Sequence, residues 1–516
     1  PSSSTFTTST SYTSSTPAGS ASRASIASRA SRASAVLRTN LSEIQMHSST
    51  SSCLRTSLAG PCLKPRALLR HKAGAAATRT TNARRATLQV KAAIAMPAAP
   101  QPSTSPDHAM WGPDAPEHVA EWRRNLDLKA FGAEMRKLER DLRANQGEED
   151  VKHLRGVLTS ANVCYFVGLA LAPFCDVMSG NIFAALLMST AIFARWTMVG
   201  HHVSHGGYNS QQNGKRFHRS TFGKGPLHRA LDWLDWMLPE AWDVEHNNLH
   251  HYKLGETNGD PDLVERNADA MIRSAPTPTF FKYMQVGILM FTWKWYYYMP
   301  NTLKSMYQFN IDRDAARAGE GAEIKQNPFE KMTFKQAGLL AKCAAPFFLV
   351  HFVAIPAPFF VFGGQAMGMM VLANMIVAEI LTNFHSFLAI ATNHCGDDVY
   401  RFDTEVKPKT DEFYLRAIIG SVNYPTAHMW PKPEGKPAGI LGNVNDFVHG
   451  WLNYQIEHHM FPDLSMLSYQ KAMPIVKDAC KRYGIPYVQQ DMLKRLNQTT
   501  KVMVGRSDML KWERGD

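Results

Sequence analysis

Three histidine clusters constrain this 516-residue chain more than any other feature of its sequence. They are His201-x-x-x-His205, His246-x-x-x-His250-His251 and Gln455-x-x-His458-His459. A structural zinc site closes with four ligands, and imidazole also suits iron, copper and nickel. Eight candidate ligand positions are too many for one zinc. They predict two metals or a metal-binding surface, and we expect a di-metal site.

The spacing within each cluster predicts a shared helix face. Residues four apart lie on the same face of an α-helix. The pairs so formed are His201 with His205, His246 with His250, and Gln455 with His459, with His251 and His458 flanking them. One such pair alone is commonly an ordinary surface or core feature. Three clusters, two of which end in a His-His doublet, predict a metal centre.

The net charge of +12 lies entirely in the first 95 residues, which hold 13 Lys and Arg and one acid, Glu43. The remainder holds 43 basic and 43 acidic residues. A neutral body without a basic, aromatic-interleaved stripe argues against a nucleic-acid partner. The leader is rich in Ser, Thr, Ala and Arg, without an 18-residue apolar run, which is typical of an organellar transit peptide. A disordered basic tail is the alternative.

The domain boundaries follow from these composition changes. Val90-Lys91-Ala92 followed by Ala93 resembles the processing site of green-algal chloroplast precursors. We therefore predict a plastid transit peptide and disordered leader over residues 1–92, and a chloroplast membrane as the location. We expect an N-terminal polar and amphipathic segment over 93–154, a membrane domain over 155–490, and a C-terminal tail over 491–516.

Two long apolar blocks predict membrane-spanning helices. Residues 157–199 are interrupted at Ser179-Gly180-Asn181, and residues 343–392 at Gly363-Gly364-Gln365. Each block has room for two spans of about 20 residues joined by a tight turn. We expect four transmembrane helices in two hairpins. Buried core hairpins of a soluble protein are the alternative, because Asp176, Arg195 and several prolines weaken the hydropathy.

A further apolar stretch, residues 280–300, carries Lys282 and Lys294 among Trp and Tyr residues that suit the membrane interface. We predict a helix lying on the membrane surface. The first histidine cluster directly follows the second predicted span, the second cluster lies in the same loop, and the third follows the fourth span. An even number of spans returns the chain to its starting side, so the three clusters are expected to meet.

Two more histidines lie near the end of the fourth predicted span. His385 and His394 are nine residues apart, about 180° around a helix, so both face one metal pair only if the helix ends or bends between them. We predict His394, which lies on the cluster side. His202 is expected beside the ligands or at the surface. The histidines expected to be structural are His218, His228, His351, His428 and His449.

Carboxylates commonly hold the second ring nitrogen of a ligand imidazole. Glu457 and Asp243, which lie next to or near the clusters, are predicted to do so. Gly259-Asp260-Pro261-Asp262 is expected to be a turn.

The clusters, the paired spans and their order resemble the membrane fatty acid desaturases over roughly residues 155–490. The string GWLNYQIEHHMFP, from Gly450 to Pro462, resembles the front-end desaturases, in which glutamine replaces the first histidine of the last cluster. The resemblance implies two bound irons, activation of O2 and a cis double bond left in an acyl chain. It also implies a ligand at the end of the last span. The candidate metal ligands are His201, His205, His246, His250, His251, His394, Gln455, His458 and His459.

The sequence departs from the front-end pattern in two ways. Its second cluster is one residue longer than the usual H-x-x-HH, and it has no H-P-G-G haem motif of a fused cytochrome b5. It also lacks the E-x-x-H of carboxylate-rich di-iron bundles, and a G-x-G-x-x-G opening a strand-to-helix turn. Electrons must therefore come from outside, and reduced ferredoxin or a similar small carrier is the predicted partner. The basic residues expected to attract it are Lys215, Arg216, Arg219 and Lys224, or Lys471, Lys477, Lys481 and Arg482.

The sequence thus predicts an all-α integral membrane protein whose helical cap, on the cytosolic or stromal side, holds a histidine-ligated di-iron site. The predicted activity is desaturation of membrane acyl-lipids. Hydroxylation on the same scaffold is not separable by spacing, since the two reactions differ only in the fate of the substrate radical. A metal transporter or storage protein is the distant alternative. It requires ionisable residues along a path inside the spans, whereas the histidine clusters lie outside them.

Overall fold

The computed structural model describes residues 120–211, 214–233, 235–318, 338 and 344–512. The predicted leader over 1–92, its processing site and the first part of segment 93–154 lie outside these residues. The described chain is mostly helical. Its α-helices are α1 (Glu121–Arg124), α2 (Leu128–Ala144), α3 (Glu148–Leu171), α4 (Phe183–Ala194), α5 (His201–Ser204), α6 (Gly225–Leu231), α7 (Pro239–Trp242), α8 (Val264–Ala268), α9 (Thr279–Trp293), α10 (Met299–Ala318), α11 (Ala344–Ala354), α12 (Ala357–Ile390), α13 (Asp411–Ile419), α14 (Ile440–Val448), α15 (Gln455–Met460), α16 (Met466–Tyr483) and α17 (Met492–Met503).

Shorter helical turns connect or end several of these helices. The π-helical turns are Arg195–Gly200, Asp243–His250, Asp269–Arg273, Lys294–Tyr298 and Leu349–Ala354. The 3₁₀ turns are Ala172–Phe174, Val177–Ser179, Ala391–Asn393, Ala427–Met429 and Leu452–Tyr454. The all-α prediction needs one small correction, because β1 (Tyr400–Phe402) and β2 (Leu510–Trp512) form a two-stranded parallel sheet.

Three helical stretches among the described residues are long and apolar enough to cross a membrane: Glu148–Phe174, Phe183–Ser204 and Ala357–Asn393. The first two form the predicted first hairpin. Gly180 turns the chain with a φ of +87°, and Gly168 lies so close to α4 that a Cβ there would be 2.8 Å from Met188 Cγ. Glycine at this position lets the two helices approach each other.

The second hairpin turns at the predicted Gly363-Gly364-Gln365. Gly364 has φ 76° and ψ 178°, which divides α12. The Phe360 ring lies against Gly368, leaving no room for a Cβ, and His351 Nε2 of α11 lies 3.6 Å from Glu379 Oε1. Contacts between residues so far apart along a helix require the chain to reverse. The start of this arm at 339–343 lies outside the described residues, and the count of four spans remains a prediction.

Ionisable side chains do lie within the predicted third and fourth spans. His351 and Glu379 are 6% and 1% exposed, and the Tyr165 hydroxyl lies 3.4 Å from His351 Nδ1, which connects α3 to the second hairpin. His351 was predicted to be structural, and no prediction was made for Glu379. They are buried against each other, as ionisable groups inside membrane helices usually are.

The aromatic stretch 280–300 only partly matches the predicted surface helix. The outer side chains of α9 are exposed, with Phe280 at 67% and Ile288 at 65%. Lys294, however, is fully buried, and its Nζ lies 2.5 Å from Asp235 Oδ2. The Trp293 indole donates to the Asn383 carbonyl of α12 at 2.8 Å. The end of this stretch therefore belongs to the core beside α12.

The predicted boundaries at residues 155 and 491 do not separate parts of the fold. Helix α3 begins at Glu148 and continues through the first boundary. Helix α2 packs on α13 and α16 through buried residues such as Phe131 and Met135. The expected C-terminal tail supplies α17 and β2, and Arg495 of α17 is fully buried. These segments hold the cap together instead of extending from it.

Candidate metal centre

The structure brings all nine predicted ligand positions together in two groups. In the five-histidine group, the potential ligand atoms lie within 4.8 Å of one another, and so do those of the three-histidine group. The five-histidine group is His201, His205, His246, His251 and His458, and the three-histidine group is His250, His394 and His459. Gln455 joins the smaller group, with Nε2 2.9 Å from His459 Nε2 and 3.1 Å from His394 Nε2.

The first cluster lies where α4 leaves the apolar core. Helix α4 continues through the π-helical turn Arg195–Gly200 into α5, which begins at His201. The Nδ1 of His201 donates to the Thr197 carbonyl at 3.1 Å, so its Nε2 points inward with a lone pair. His205 Nε2 is buried and has no hydrogen-bond partner among the described residues. Both imidazoles of this cluster belong to the five-histidine group, as the spacing of four predicts.

The second cluster does not follow the predicted pairing. It lies in the π-helical turn Asp243–His250, in which the His251 N–H bonds the His246 carbonyl five residues earlier. A π-helix aligns residues five apart. His246 and His251 therefore share the five-histidine group, with Nε2 atoms 3.3 Å apart, while His250 reaches the other group. The correction matters because this single turn divides the cluster between both groups.

The third cluster is placed by a sharp reversal of the chain. Gly450 and Trp451 have φ of +68° and +59°, and a Cβ on Gly450 would lie 2.6 Å from Phe193 of α4. Glycine is needed here both for the left-handed conformation and for this approach. Helix α15 then presents Gln455 and His459 to one group and His458 to the other. His458 Nδ1 lies 3.2 Å from the Tyr469 hydroxyl.

His394 and His385 take different places. His394 lies just after the 3₁₀ turn that ends α12, with Nε2 3.3 Å from His250 Nε2 and 2.9 Å from His459 Nε2. His385 donates from Nε2 to the Val448 carbonyl at 2.8 Å and stacks on Phe193. Arg495 donates to the carbonyls of Thr392 and Cys395, on either side of His394. The C-terminal helix thus holds the loop that positions His394.

The donor set fits metal ions. His394 Nδ1 donates to the Ile390 carbonyl at 2.7 Å, so its Nε2, like that of His201, carries a lone pair. Although His201 Nε2 carries a lone pair, it lies 2.8 Å from His458 Nε2 and 2.9 Å from His246 Nε2. Lone pairs that converge at such distances in a dry interior are satisfied by a cation. Imidazole nitrogens, together with an amide that can ligate through its oxygen, suit iron, zinc or copper.

Burial keeps most of these imidazoles neutral, as metal ligation requires. Desolvation, reinforced by the neighbouring histidines, lowers the pKa of His246, His251 and His459 well below 6.5. Burial also lowers the pKa of His394 to about 3. His250 differs, because burial is outweighed by the charge and hydrogen bond of Asp260, which raise its pKa.

Asp260, which was predicted only as part of a turn, is the carboxylate that orients the ligand His250. Its Oδ1 accepts from His250 Nδ1 at 2.9 Å, and its Oδ2 accepts from the Gly255 N–H at 2.7 Å. The two predicted carboxylates act elsewhere. Asp243 accepts from Asn247 at 2.6 Å and pairs with Arg219. The Glu457 oxygens accept from Asn423 and Tyr487, each at 2.8 Å. No helical spacing connects residues 250 and 260, so the sequence carried no signal for this pair.

The remaining histidines lie apart from both groups or beside them. His202 is fully buried, donates from Nδ1 to the Met198 carbonyl at 2.7 Å, and its ring centroid lies 5.3 Å from that of His458. The other hydrogen-bond partners are Ser220 for His218, Asp232 for His228, the Gln470 carbonyl for His428 and the Asn445 carbonyl for His449. These contacts are those of structural histidines.

An apolar pocket of about 940 Å³, including its open mouth, leads to both groups. Its walls come from the π-helical turn Arg195–Gly200, from α8, α9, α12 and α17, and from the aromatic stretch that was predicted to lie at the membrane surface. The apolar and aromatic lining residues include Trp196, Trp242, Ile272, Leu289, Trp293, Tyr297, Tyr298, Phe387, Ile390, Leu452 and Met503. His201, His246, His250, His394 and Gln455 form its inner end. The pocket suits a long apolar ligand.

Two carboxylic acid side chains, the buried Glu245 and the half-buried Asp262, lie beside that inner end. Asp262 lines the pocket, and burial, reinforced by Asp260 and opposed by His250, raises its pKa to about 6. Burial and the charge of Asp262 raise the pKa of Glu245 well above its usual value. A separate polar pocket of about 640 Å³ reaches His205 and is lined by Asn209, Asn247 and Tyr252 among others.

Many of the basic residues expected to attract an electron carrier are already in ion pairs. Arg216 Nη2 lies 2.5 Å from Asp232 Oδ1. Asp243 pairs with two of them, with Oδ1 3.1 Å from Arg219 Nη2 and Oδ2 3.6 Å from Lys224 Nζ. Arg482 pairs with Glu134 and Asp478. Lys477 donates to the Gln489 amide oxygen at 2.8 Å, so its charge is not neutralised by that contact. The first predicted basic surface is thus largely neutralised.

Comparison with known proteins agrees with this site. The family profile described as Fatty acid desaturase matches residues 179–491. The chain is similar to the NADPH-dependent stearoyl-CoA 9-desaturase of Mycobacterium tuberculosis, 22% identical over 388 residues that cover 73% of this chain and 80% of that protein. It is also similar to the chloroplastic acyl-lipid (7-3)-desaturase of Chlamydomonas reinhardtii, 28% identical over 167 residues, or 32% of this chain and 28% of that protein. The sn-1 linoleoyl-lipid 6-desaturase of Arthrospira platensis is 22% identical over 315 residues, which cover 60% of this chain and 74% of that protein. No solved structure matches.

Proposed function

Because the chain belongs to the fatty acid desaturase family and is a desaturase, we propose that it places a cis double bond in an acyl chain of a membrane glycerolipid, using two iron ions. The observation that carries this proposal is the apolar pocket whose inner end is formed by His201, His246, His250, His394 and Gln455. An acyl chain in this pocket ends its path at both histidine groups.

The five-histidine group would hold one iron, and the three-histidine group with Gln455 the other. When bound, the irons supply the activation of O2 and the removal of two hydrogens from the chain. The balanced reaction takes up one O2, two electrons and two protons, and releases two waters. The protein's own part is to position the chain and to exclude bulk water, which its buried aromatic wall of Trp242, Trp293 and Tyr298 achieves.

Glycerolipid is proposed over acyl-CoA because two of the relatives are named for lipid-bound acyl substrates. Relatives are named for both substrates, with stearoyl-CoA in one name and acyl-lipid in another. Expression in a host that lacks the activity, followed by separation of lipid classes and gas chromatography with double-bond location, tests the substrate and the product together. A hydroxylated product would contradict the proposed desaturation and show that the enzyme is a hydroxylase. New double bonds confined to acyl-CoA would overturn the lipid assignment.

The position of the new double bond is proposed from the third cluster. The third cluster has Gln455 in the place that histidine occupies in other desaturases, and in this it resembles the front-end enzymes. We therefore expect the new bond on the carboxyl side of an existing one, or close to the carboxyl end. The same chromatography decides this, and a bond on the methyl side of an existing one contradicts it.

We further propose a plastid membrane and reduced ferredoxin, or a similar small carrier, as the electron source. The basic, acid-poor leader supports the location. A fusion of residues 1–95 to a fluorescent protein is expected to enter plastids, and a cytosolic fusion would count against it. Purified enzyme is expected to need the carrier, and to slow as ionic strength rises. Turnover with NADPH and lipid alone, free of other proteins, contradicts the carrier requirement.

A further inference from the structure

The helix α14 exposes an apolar face although it lies outside the long apolar helices. Ile440 is 83% exposed, Leu441 57%, Val444 55% and Val448 49%. This spacing places the four side chains along one side of the helix, and they are called here the outer face of α14. A contiguous exposed apolar surface of this kind marks contact with another apolar body.

The opposite face of α14 is fixed to the third histidine cluster. Asp446 is fully buried, and it accepts hydrogen bonds from the Ala427 N–H at 2.9 Å, Asn453 Nδ2 at 2.6 Å and the Tyr454 hydroxyl at 2.7 Å. Asn453 and Tyr454 immediately precede Gln455. Because these buried bonds hold the Asp446 side of α14 against the third cluster, its outer face points away from that cluster.

The position of α14 along α12 gives its depth. The Val448 carbonyl accepts from His385 Nε2 at 2.8 Å. His385 lies eight residues before Asn393, where the apolar helical stretch ends, which is about 12 Å along the helix axis. The headgroup region on each side of a bilayer is about 5–8 Å thick. The C-terminal end of α14 therefore contacts α12 about 12 Å before the end of the apolar stretch. With that end at the outer edge of the head groups, this depth is at or below the boundary between head groups and acyl chains.

The residues before α14 have the composition of a membrane interface. Met429 and Trp430 are 68% and 42% exposed, and the exposed Lys432 and Lys436 follow. Tryptophan prefers the interface, and lysine reaches the head groups from beside an apolar helix.

We propose that α14, with Met429 and Trp430, lies in the head-group region of the bilayer and sets the depth of the third histidine cluster. The partner is the lipid surface itself. The contact with α12 at this depth favours lipid over a second copy of the chain, and a second copy is an outcome that the test can return.

The test places one spin label at a time at Leu441→Cys, Val444→Cys or Lys481→Cys in bilayer nanodiscs of phosphatidylcholine and phosphatidylglycerol. Lys481 is an exposed residue of the cap on α16. Collisions with O2, which partitions into lipid, are compared with collisions with a water-soluble nickel chelate. We expect O2 to dominate at 441 and 444 and nickel to dominate at 481. Nickel dominance at 441 and 444 overturns the proposal, and exclusion of both reagents there overturns it in favour of a second copy.

A charge test checks the face itself. With the label at Val448→Cys, the double variant Leu441→Asp and Val444→Asp is expected to raise nickel collisions, since charges leave the apolar boundary. Asn443→Asp, an exposed polar position on the same helix, is the matched control and is expected to leave the label unchanged. An unchanged label in the double variant, with helix content intact by circular dichroism, overturns the proposal. The readout needs no turnover, so it stands or fails independently of the proposed activity.

Discussion

The two histidine groups differ in how the chain builds them. The five-histidine group takes two residues from the first cluster, two from the second and one from the third, and all five are buried imidazoles. The three-histidine group has one imidazole each from the second and third clusters, and a third from His394, which lies outside the clusters. Gln455 of the third cluster lies beside them. The first group is built from clustered sequence, the second from distant segments.

The supports of the two groups differ as well. Each group has an imidazole that is held by a backbone carbonyl four residues earlier, His201 by Thr197 and His394 by Ile390. In the smaller group, His250 is held by Asp260, and the loop that carries His394 is held by Arg495 of the C-terminal helix. The difference teaches that a metal position with fewer imidazoles depends more on the surrounding fold. The predictions below test this contrast.

The largest effect is expected in the five-histidine group. His251→Ala removes a ligand without touching the apolar helices. Product should fall by more than about 100-fold, beyond the range for residues that only support a ligand, while the amount of protein in the membrane stays constant. Gas chromatography and immunoblotting measure the two quantities. His218→Ala, whose ring bonds only Ser220 in the described chain, is the control. Full product from His251→Ala would contradict metal binding by this group.

The next largest effect is a difference in bound iron between variants of His394, just after α12, and of His385, within α12. His394→Ala should lower the bound iron from two ions per chain to about one, because it leaves the smaller group with two imidazoles and an amide. His385→Ala, whose ring contacts Val448 and Phe193 instead, should keep both ions. Metal analysis of the purified variants decides the matter. Equal iron in the two variants would remove His394 from the site.

A smaller effect is expected when the support of a ligand changes. Asp260→Asn keeps an acceptor beside His250 Nδ1 but removes the charge, and iron affinity should fall by about 10–100-fold. Asp243→Asn serves as the matched control, since Asp243 pairs with Arg219 and Asn247 rather than with a ligand. Competition with a chelator measures both affinities. A larger loss in Asp243→Asn than in Asp260→Asn would restore the assignment made from sequence.

The smallest effect concerns Gln455. Gln455→His supplies a fourth imidazole to the smaller group, so iron retention should hold or rise, by about 10-fold at most. Gln455→Leu removes the amide and should lower retention in that group. If leucine and histidine gave the same retention, Gln455 would lie beside the metal without contributing to it.

Local sequence information predicted the parts of the fold that depend on neighbours along the chain. The turns at Gly180 and Gly364 followed from glycine within apolar blocks, and both carry positive φ. The first and third clusters kept the i, i+4 pairing of a helix. The pairing failed at the second cluster, because a π-helical turn aligns His246 with His251. Nothing in the spacing distinguishes such a turn from an α-helix.

Burial explains the other corrections. Lys294 and the adjacent aromatic residues resemble a membrane-interface segment in sequence, yet Lys294 pairs with Asp235 inside the core and Trp293 lines the pocket. The sequence shows that a side chain is amphipathic, but it does not show which residue its polar end contacts. The apolar face of α14, by contrast, was overlooked because nine residues are too short to register as an apolar block.

The sequence by itself determined the class of site: three clusters at helical spacing, next to apolar blocks long enough to cross a membrane. Both features are periodic along the chain, and short-range geometry converts them into helix faces and spans. The tertiary structure alone decided how the ligands divide into two groups, which carboxylate holds His250, and how the C-terminal helix positions His394. These are contacts between residues 10 to 257 positions apart, and they depend on how helices pack rather than on any local repeat.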